Sequence, residues 1–202
     1  MSVTPRTHPR MTGSERREQL LDVTKAMVGE AGFHAVSIEA VARRAGITRP
    51  VVYGHFQDLG GLLEAMLARE TARAHAQLAR ILPPETWRGG QREMLLGAMR
   101  GYLDAVVADP VTWRLVLMPQ EGAPGLLREQ IRRGRESVIA ILAELVRPGL
   151  APGRASPDPA LTARMLSTLA DEAARLTLSD PEEYPIARLM DHAAWLLDQL
   201  AE

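Results

Sequence analysis

The chain has 202 residues, enough for one large or two small domains, and it contains no cysteine, which excludes a disulfide framework, a thiolate nucleophile and Cys-ligated zinc. Its 24 Lys and Arg against 25 Asp and Glu give a formal net charge of −1, so the chain as a whole is not coated with positive charge for nucleic acid. No apolar run has the length of a membrane span, and residues 1–10 lack the apolar stretch of a signal peptide. We therefore expect a soluble, cytoplasmic protein with no membrane partner.

The first predicted element is a helix that begins near Glu15. Residues 1–13 contain Pro and Thr without periodicity and predict a flexible arm. The apolar residues that then recur with helical spacing are Leu20, Val23, Met27, Val28 and Ala31. Ser14 is the predicted N-cap of this helix, and Gly32 is predicted to end it.

Two short helices are predicted next. Ser37 is the predicted N-cap of the second helix, and Gly46 lies in the turn after it. Thr48 is the predicted N-cap of the third helix, whose first turn accommodates Pro50 because an N–H has no partner there. Two short helices separated by a glycine-containing turn predict a helix-turn-helix unit.

Longer helical patterns fill the rest of the chain. Asp58 is predicted to cap a fourth helix that Pro83-Pro84 stops. The later helices are predicted over residues 90–108, 111–118, 124–146, 160–178 and 185–200, with a Pro- and Gly-rich loop at 147–159. Because no segment alternates like a strand, the predicted fold class is all-α.

The outer face of the third helix carries residue types that read DNA. Arg49 suits a bidentate contact with guanine in the major groove, and Ser37, Tyr53 and His55 suit phosphates. The full set of predicted DNA-binding residues is Ser37, Arg43, Thr48, Arg49, Pro50, Tyr53, Gly54 and His55. The structural alternatives are a solvated helix face for Arg43, core packing for Tyr53 and an exposed surface histidine for His55. Phe56 is expected in the core.

A longer set of residues resembles the amino-terminal signature of the TetR family of regulators. The matching residues are Gly32-Phe33, Ser37, Val41-Ala42, Ala45-Gly46-Ile47-Thr48 and Val52-Tyr53-Gly54-His55-Phe56. The resemblance implies a helix-turn-helix DNA-binding domain, placed at 14–60, and a ligand-binding and dimerisation domain, placed at 61–202, whose last two helices pair across a two-fold axis. The chain departs from the family pattern at Leu59, where a phosphate-binding Lys is usual, and at Val36, where Thr is common.

Methionines and aromatic residues in the second domain suit an adaptable apolar pocket. The predicted ligand-binding residues are Met94, Met99, Tyr102, Trp113, Met118, Met165 and Glu172. Glu172 is included because a polar group that points inward orients a ligand. Ordinary core packing is the alternative for each apolar member.

Apolar stripes on the last two helices predict a dimer interface of four packed helices. The stripe residues are Leu161, Met165, Leu169 and Leu176 on one helix, and Ile186, Leu189, Ala193, Leu196 and Leu200 on the other. The same stripes would equally serve an intramolecular core. The homodimer is therefore an expectation that comes mainly from the resemblance.

We expect a dimeric transcriptional regulator, a repressor by family resemblance, that a small-molecule effector releases from a pseudo-palindromic double-stranded DNA operator. No catalytic residue, metal or cofactor is predicted, because the chain has no His-Glu-x-x-His motif, Walker loop, Gly-x-Gly-x-x-Gly loop or Gly-x-Ser-x-Gly elbow. The alternatives are an α-helical enzyme and a helical adaptor without DNA binding. An adaptor leaves unexplained why Thr48, Arg49 and Tyr53 share one outer face.

Overall fold

The computed structural model describes residues 11–81, 90–118, 125–150 and 155–201, and within these ranges the chain forms nine α-helices, one short 3-10 helix and no strand. The α-helices are α1 (Gly13–Ala31), α2 (Ile38–Arg44), α3 (Arg49–Tyr53), α4 (Leu59–Ile81), α5 (Gln91–Ala108), α6 (Pro110–Leu117), α7 (Gly125–Val146), α8 (Pro159–Ser179) and α9 (Ile186–Ala201). The predicted all-α class is confirmed. The arm at residues 1–10 and the stop at Pro83-Pro84 lie outside the described residues.

Helix α1 begins at a capping box that the sequence did not predict. Thr12 is the N-cap: its hydroxyl accepts from the N–H of Glu15 at 3.2 Å, and the Glu15 carboxylate accepts from the N–H of Thr12 at 2.7 Å. The predicted cap at Ser14 is wrong, because Ser14 already lies in the first turn. Gly32 ends the helix as predicted, with a positive φ of 79° that favours glycine.

The helix-turn-helix elements follow the predicted order. The Ser37 hydroxyl caps α2 by accepting from the N–H of Ala40 at 3.1 Å, and Gly46 takes a φ of 68° in the turn before α3. Thr48 occupies the N-cap position of α3, but its side chain makes no capping hydrogen bond. Its predicted capping role is therefore wrong, while Pro50 does lie in the first turn.

The chain divides into two compact units, residues 1–66 and 67–202, and the division falls inside α4. In the first unit, α1 packs against α2, and α2 packs against α3. The core residues that are least exposed are Leu20, Val41, Val52, Leu62 and Met66. Asp58 caps α4 as predicted, because its carboxylate accepts from the N–H of Gly61 at 2.8 Å.

The second unit is built around α8, which packs against α5, α6 and α7, while α9 packs against α5. One apolar cluster joins α4, α5, α6 and α8 around Leu103 and Trp113. A second cluster joins α5, α7 and α8 around Leu142 and Val146. None of the helices in the described part of the chain combines the length and apolar character that a membrane span requires.

We expect Thr12→Ala to destabilise the start of α1 by about 1 kcal/mol, because the substitution removes one half of the capping box. Amide hydrogen exchange in the first turn of α1 should accelerate roughly fivefold as a result. Ser14→Ala is the matched control and should leave exchange nearly unchanged. Equal acceleration by both substitutions would contradict the cap at Thr12.

Candidate nucleic-acid interface and ligand cavity

Helix α3 has one buried face and one exposed face. Val52 is fully buried and Phe56, just after the helix, is 5% exposed, whereas Tyr53 is 48% exposed. Thr48, Arg49, Pro50 and Gly54 are also exposed. The core expectation for Phe56 is confirmed, and the core alternative for Tyr53 is excluded. The buried pair therefore determines which side chains of α3 face outward.

Arg17 on α1 holds the carboxyl end of α3 in place. Its guanidinium donates to the carbonyl oxygen of His55 at 3.0 Å and lies 4.4 Å from the centre of the Phe56 ring. A cation over an aromatic face and a charge-assisted hydrogen bond both stabilise this contact. Arg17 was not among the residues predicted from the sequence. Helical spacing is the only feature of the sequence that could have pointed to it, because Arg17 falls on the same face of α1 as Leu20 and Leu21.

The three arginines near α3 differ in their partners. Arg44 forms a bidentate pair with Glu30, with N···O distances of 2.5 and 2.6 Å, and these hydrogen bonds lower the pKa of the Glu30 carboxyl. Arg43 and Arg49 are exposed, and neither has an ion-pair partner among the described residues. The guanidinium groups of Arg43 and Arg49 are consequently available to a bound polyanion.

The predicted DNA-binding residues fall into two groups. Residues 48–55 form α3 and its two ends, and within this stretch His55 is half-buried while the other predicted members are exposed. Ser37 begins α2 and Arg43 belongs to its last turn. Since α2 packs against α3, the predicted set belongs to one pair of packed helices. The Ser37 hydroxyl oxygen already accepts a backbone hydrogen bond, so it is left to donate.

The second unit contains a cavity of about 380 Å³ whose described lining comes from α4 to α9. This volume is within the range of small-molecule sites, which is roughly 300–1,000 Å³. Among the predicted ligand-binding residues, Met99, Tyr102, Trp113 and Glu172 line the cavity.

The other three predicted ligand-binding residues lie outside the described lining of this cavity. Met94, Met118 and Met165 are not among the described residues that line the cavity. Met118 is 40% exposed and Met165 is 63% exposed, so both side chains lie at the surface. Methionine composition indicated a pocket but not which methionines face it.

A hydrogen-bonded network crosses the cavity wall at Asp171. The Tyr102 hydroxyl donates to Oδ1 of Asp171 at 3.0 Å, and the Arg135 guanidinium donates to Oδ2. Burial, together with the Asp171 carboxylate, raises the pKa of the Tyr102 phenol well above its ordinary value. Neither Arg135 nor Asp171 was singled out from the sequence, because they lie 36 residues apart and no local pattern links them.

The aromatic part of the wall is also held in a fixed geometry. The rings of Tyr102 and Trp113 meet edge to face, with centroids 5.1 Å apart and an interplanar angle of 71°. The indole N–H of Trp113 donates to the Gln77 side chain at 2.8 Å. The polar edge of Trp113 is thus satisfied by the protein itself, and its apolar edge is left to the cavity.

His75 and Gly134 approach each other closely across the cavity. A Cβ atom placed on Gly134 would overlap the His75 imidazole ring, so any side chain at residue 134 requires the His75 ring to move. Burial lowers the pKa of His75 below its ordinary value. The sequence analysis singled out neither residue for the cavity.

The predicted dimer residues separate into an exposed set and an inward set. Leu161, Met165 and Leu169 on α8 are 54%, 63% and 56% exposed. The residues that line the cavity are Leu169, Leu176, Leu189, Ala193 and Leu196. Ile186 packs against a core cluster, and the side chain of Leu200 lies outside the described part. We call Leu161, Met165 and Leu169 the α8 stripe.

Comparison with known proteins gives a family for the first unit. Residues 20–66 match the family model for bacterial regulatory proteins of the tetR family. The HTH-type transcriptional regulator BetI of Serratia proteamaculans is 46% identical over 52 residues, 26% of each chain. The HTH-type transcriptional activator FasR of Mycolicibacterium smegmatis is 30% identical over 107 residues, 53% of this chain and 48% of FasR. The matches span about a quarter and about half of these two relatives.

Similarity to a solved structure covers nearly the whole chain. A TetR-like transcriptional regulator from Rhodococcus sp. RHA1 superposes with a TM-score of 0.70 at 25% identity, covering 95% of this chain and 96% of that chain. The helical architecture of both units is therefore shared with a TetR-like regulator.

We expect Gly134→Ala to destabilise the protein by about 1–3 kcal/mol, because the new methyl group overlaps His75 and forces repacking. In a His75→Ala background the overlap is absent, and the same change should be neutral or stabilising, since Ala exceeds Gly in helix propensity. Thermal unfolding of the four proteins in this cycle measures the coupling. A loss of equal size in both backgrounds would contradict the close approach.

Proposed function

We propose that the chain is a regulatory protein of the tetR family, whose family model matches residues 20–66, and that it acts as a homodimeric repressor that a small-molecule effector releases from a pseudo-palindromic DNA operator. The observation that carries the proposal is the arrangement of α3. Its Val52 and Phe56 are buried, while Arg49 and Tyr53 are exposed at its outer face. A short helix held in this way presents its amino-terminal side chains to the major groove.

We assign base reading to Arg49 and backbone contacts to the residues around it. Arg49 is exposed, and a guanidinium pairs in bidentate fashion with guanine. Tyr53, His55, Ser37 and Arg43 are assigned to phosphates, because hydroxyl, imidazole and guanidinium groups donate to phosphate oxygens. The exposed residues Thr48, Pro50 and Gly54 complete the contact surface, and among these three only Thr48 has a side-chain donor, its hydroxyl. Leu59 stands where the family resemblance implies a phosphate-binding Lys, so we assign the guanidinium contact with phosphate to the exposed Arg43.

We assign the dimer interface to α8 and α9. The α8 stripe presents three large apolar side chains to solvent at successive helical turns, and Trp195 on α9 is 53% exposed. Contiguous exposed apolar surface of this kind is typical of association sites. In the two-fold arrangement that the family resemblance implies, each copy buries its own stripe against the same helices of the other copy.

We assign effector binding to the cavity of the second unit. A ligand lowers operator affinity only by its differential affinity for the operator-bound and operator-free forms of the dimer. Leu169 supports such coupling because it lines the cavity and also belongs to the α8 stripe. An effector in the cavity therefore touches a residue of the proposed subunit interface.

Selection from a random pool of double-stranded DNA by the purified protein tests operator binding. We expect a two-fold symmetric motif, and we expect Arg49→Ala to relax specificity at one base position in each half-site with a loss of about 1–3 kcal/mol. Arg43→Ala should weaken binding to all sequences and reduce the slope of log affinity against log salt by about 1.

Arg44→Ala is the matched control, because the Arg44 guanidinium is already occupied by Glu30. It should change operator affinity much less than Arg43→Ala does. Failure to enrich a symmetric motif would refute the proposed function. An Arg44→Ala loss as large as that of Arg43→Ala would refute the assignment of phosphate contacts.

We expect Met165→Glu to convert the dimer into a monomer, because it places a charge in the middle of the apolar α8 stripe. Sedimentation equilibrium measures the association constant, which should fall at least about 100-fold, the equivalent of roughly 2.7 kcal/mol. Val107→Glu is the control, since Val107 is 53% exposed on α5 outside the stripe. A Met165→Glu protein that remains dimeric would place the interface elsewhere.

A further inference from the structure

We propose that the cavity takes an uncharged aliphatic molecule with one hydrogen-bonding group, which lies against the wall formed by Asp171, Arg135 and Tyr102. The ligand class is read from the cavity alone. Only the statement that this ligand acts as the effector rests on the proposed function.

The lining favours an aliphatic body for the ligand. Among the residues that the structure describes, eleven leucines line the cavity, whereas the only Tyr and Trp side chains there are Tyr102 and Trp113. These two rings already contact one another edge to face. A flexible alkyl chain fits branched aliphatic side chains without needing a flat stacking surface.

The opposite charges of Asp171 and Arg135 cancel one another at the wall. Asp171 is 9% exposed, and both of its oxygens have partners, Tyr102 on Oδ1 and Arg135 on Oδ2. Glu172 also lines the cavity, but its side chain is 58% exposed and pairs with Arg175 at 2.9 Å. No uncompensated buried charge on these described residues attracts an ion of either sign.

The titratable groups of the wall keep this balance near pH 7. The raised pKa of Tyr102 keeps its phenol protonated, and the lowered pKa of His75 keeps its imidazole neutral. His192 lines the cavity from an exposed position. A carboxylate or an ammonium group brought to Asp171 and Arg135 would meet one opposite and one like charge, so it would lose hydration without gaining a net counter-charge.

An uncharged polar group has partners at the same place. The Asp171 carboxylate has lone pairs beyond those used by Tyr102 and Arg135, and the Arg135 guanidinium has N–H groups beyond the one that binds Asp171. A hydroxyl or primary amide can donate to the carboxylate and accept from the guanidinium. The ion pair between Asp171 and Arg135 remains intact in this arrangement.

A series of ligands with one tail and four head groups tests the proposal on the full-length protein. The probes are 1-octanol, octanamide, octanoate and octylammonium, with affinities measured by calorimetry at pH 7. We expect octanol and octanamide to bind at least about tenfold more tightly than either ion, the equivalent of about 1.4 kcal/mol. Octanoate or octylammonium binding as tightly as the neutral probes would overturn the proposal, and so would failure of the whole series to bind.

Substitution of Asp171 provides a charge-reversal test of the same wall. Asp171→Asn keeps an acceptor for Tyr102 but leaves Arg135 without its counter-charge. The affinity for octanoate should therefore rise at least about tenfold relative to the affinity for octanol. Arg135→Gln is the second variant, because the Arg135 side chain is 43% exposed and its replacement preserves the core. It should shift the preference toward octylammonium.

The matched control is Glu136→Gln, which removes an exposed carboxylate next to Arg135 on α7, a group that pairs with Arg132 and does not line the cavity. Its order of affinities should be that of the unmodified protein. An unchanged order in both wall variants would overturn the role given to Asp171 and Arg135. Operator binding is measured separately, so failure of the ligand class is distinguishable from failure of the proposed function.

Discussion

Asp171 is a buried carboxylate on α8, and its burial constrains three helices at once. A buried carboxylate without partners costs several kcal/mol, so its hydrogen bonds must come from neighbouring elements. Here Tyr102 supplies one from α5 and Arg135 supplies another from α7. These contacts join α5, α7 and α8, and they place a hydrogen-bonded ion pair beside the leucines of the cavity.

In the first unit, a single arginine, Arg17, holds the short helix α3 in place. Helix α3 has only five residues, and a helix this short has little stability of its own. Val52 and Phe56 are the buried residues on its inner side. The Arg17 guanidinium lies over the ring of Phe56 and donates a hydrogen bond to the carbonyl oxygen of His55. The outward direction of Arg49 and Tyr53 is therefore determined by contacts on the opposite face, before any DNA is present.

The elements that the sequence predicts well are those with a local cause. Apolar periodicity, Gly32, Gly46 and Pro50 are local signals, and the helices and turn that they predict are confirmed. The N-cap of α1 was missed because periodicity marks only where the buried face begins, although Thr12 and Glu15 have the T-x-x-E spacing of a capping box.

The parts of the site that the sequence did not predict have distant causes. Tyr102 is hydrogen-bonded to Asp171, which lies 69 positions away in the sequence, and Trp113 is hydrogen-bonded to Gln77, which lies 36 positions away. No propensity within a single helix reports such pairs. The α8 stripe shows the same difficulty in another form: Leu169 and Leu176 share a predicted stripe, yet only Leu169 is exposed at the surface, because the apolar surface of α8 extends over both its inner and outer faces.

Leu169 connects the two surfaces of α8 that the proposed function requires. It is 56% exposed as part of the α8 stripe, and it also lines the cavity two residues before Asp171. A second copy that packs on the stripe would contact this side chain from outside, and a ligand would contact it from inside. Coupling free energies are reciprocal. A ligand that favours one packing of the stripe must therefore bind more tightly to dimers in that packing. If the operator favours the other packing, operator binding must lower the affinity for the ligand by the same factor by which the ligand lowers the affinity for the operator.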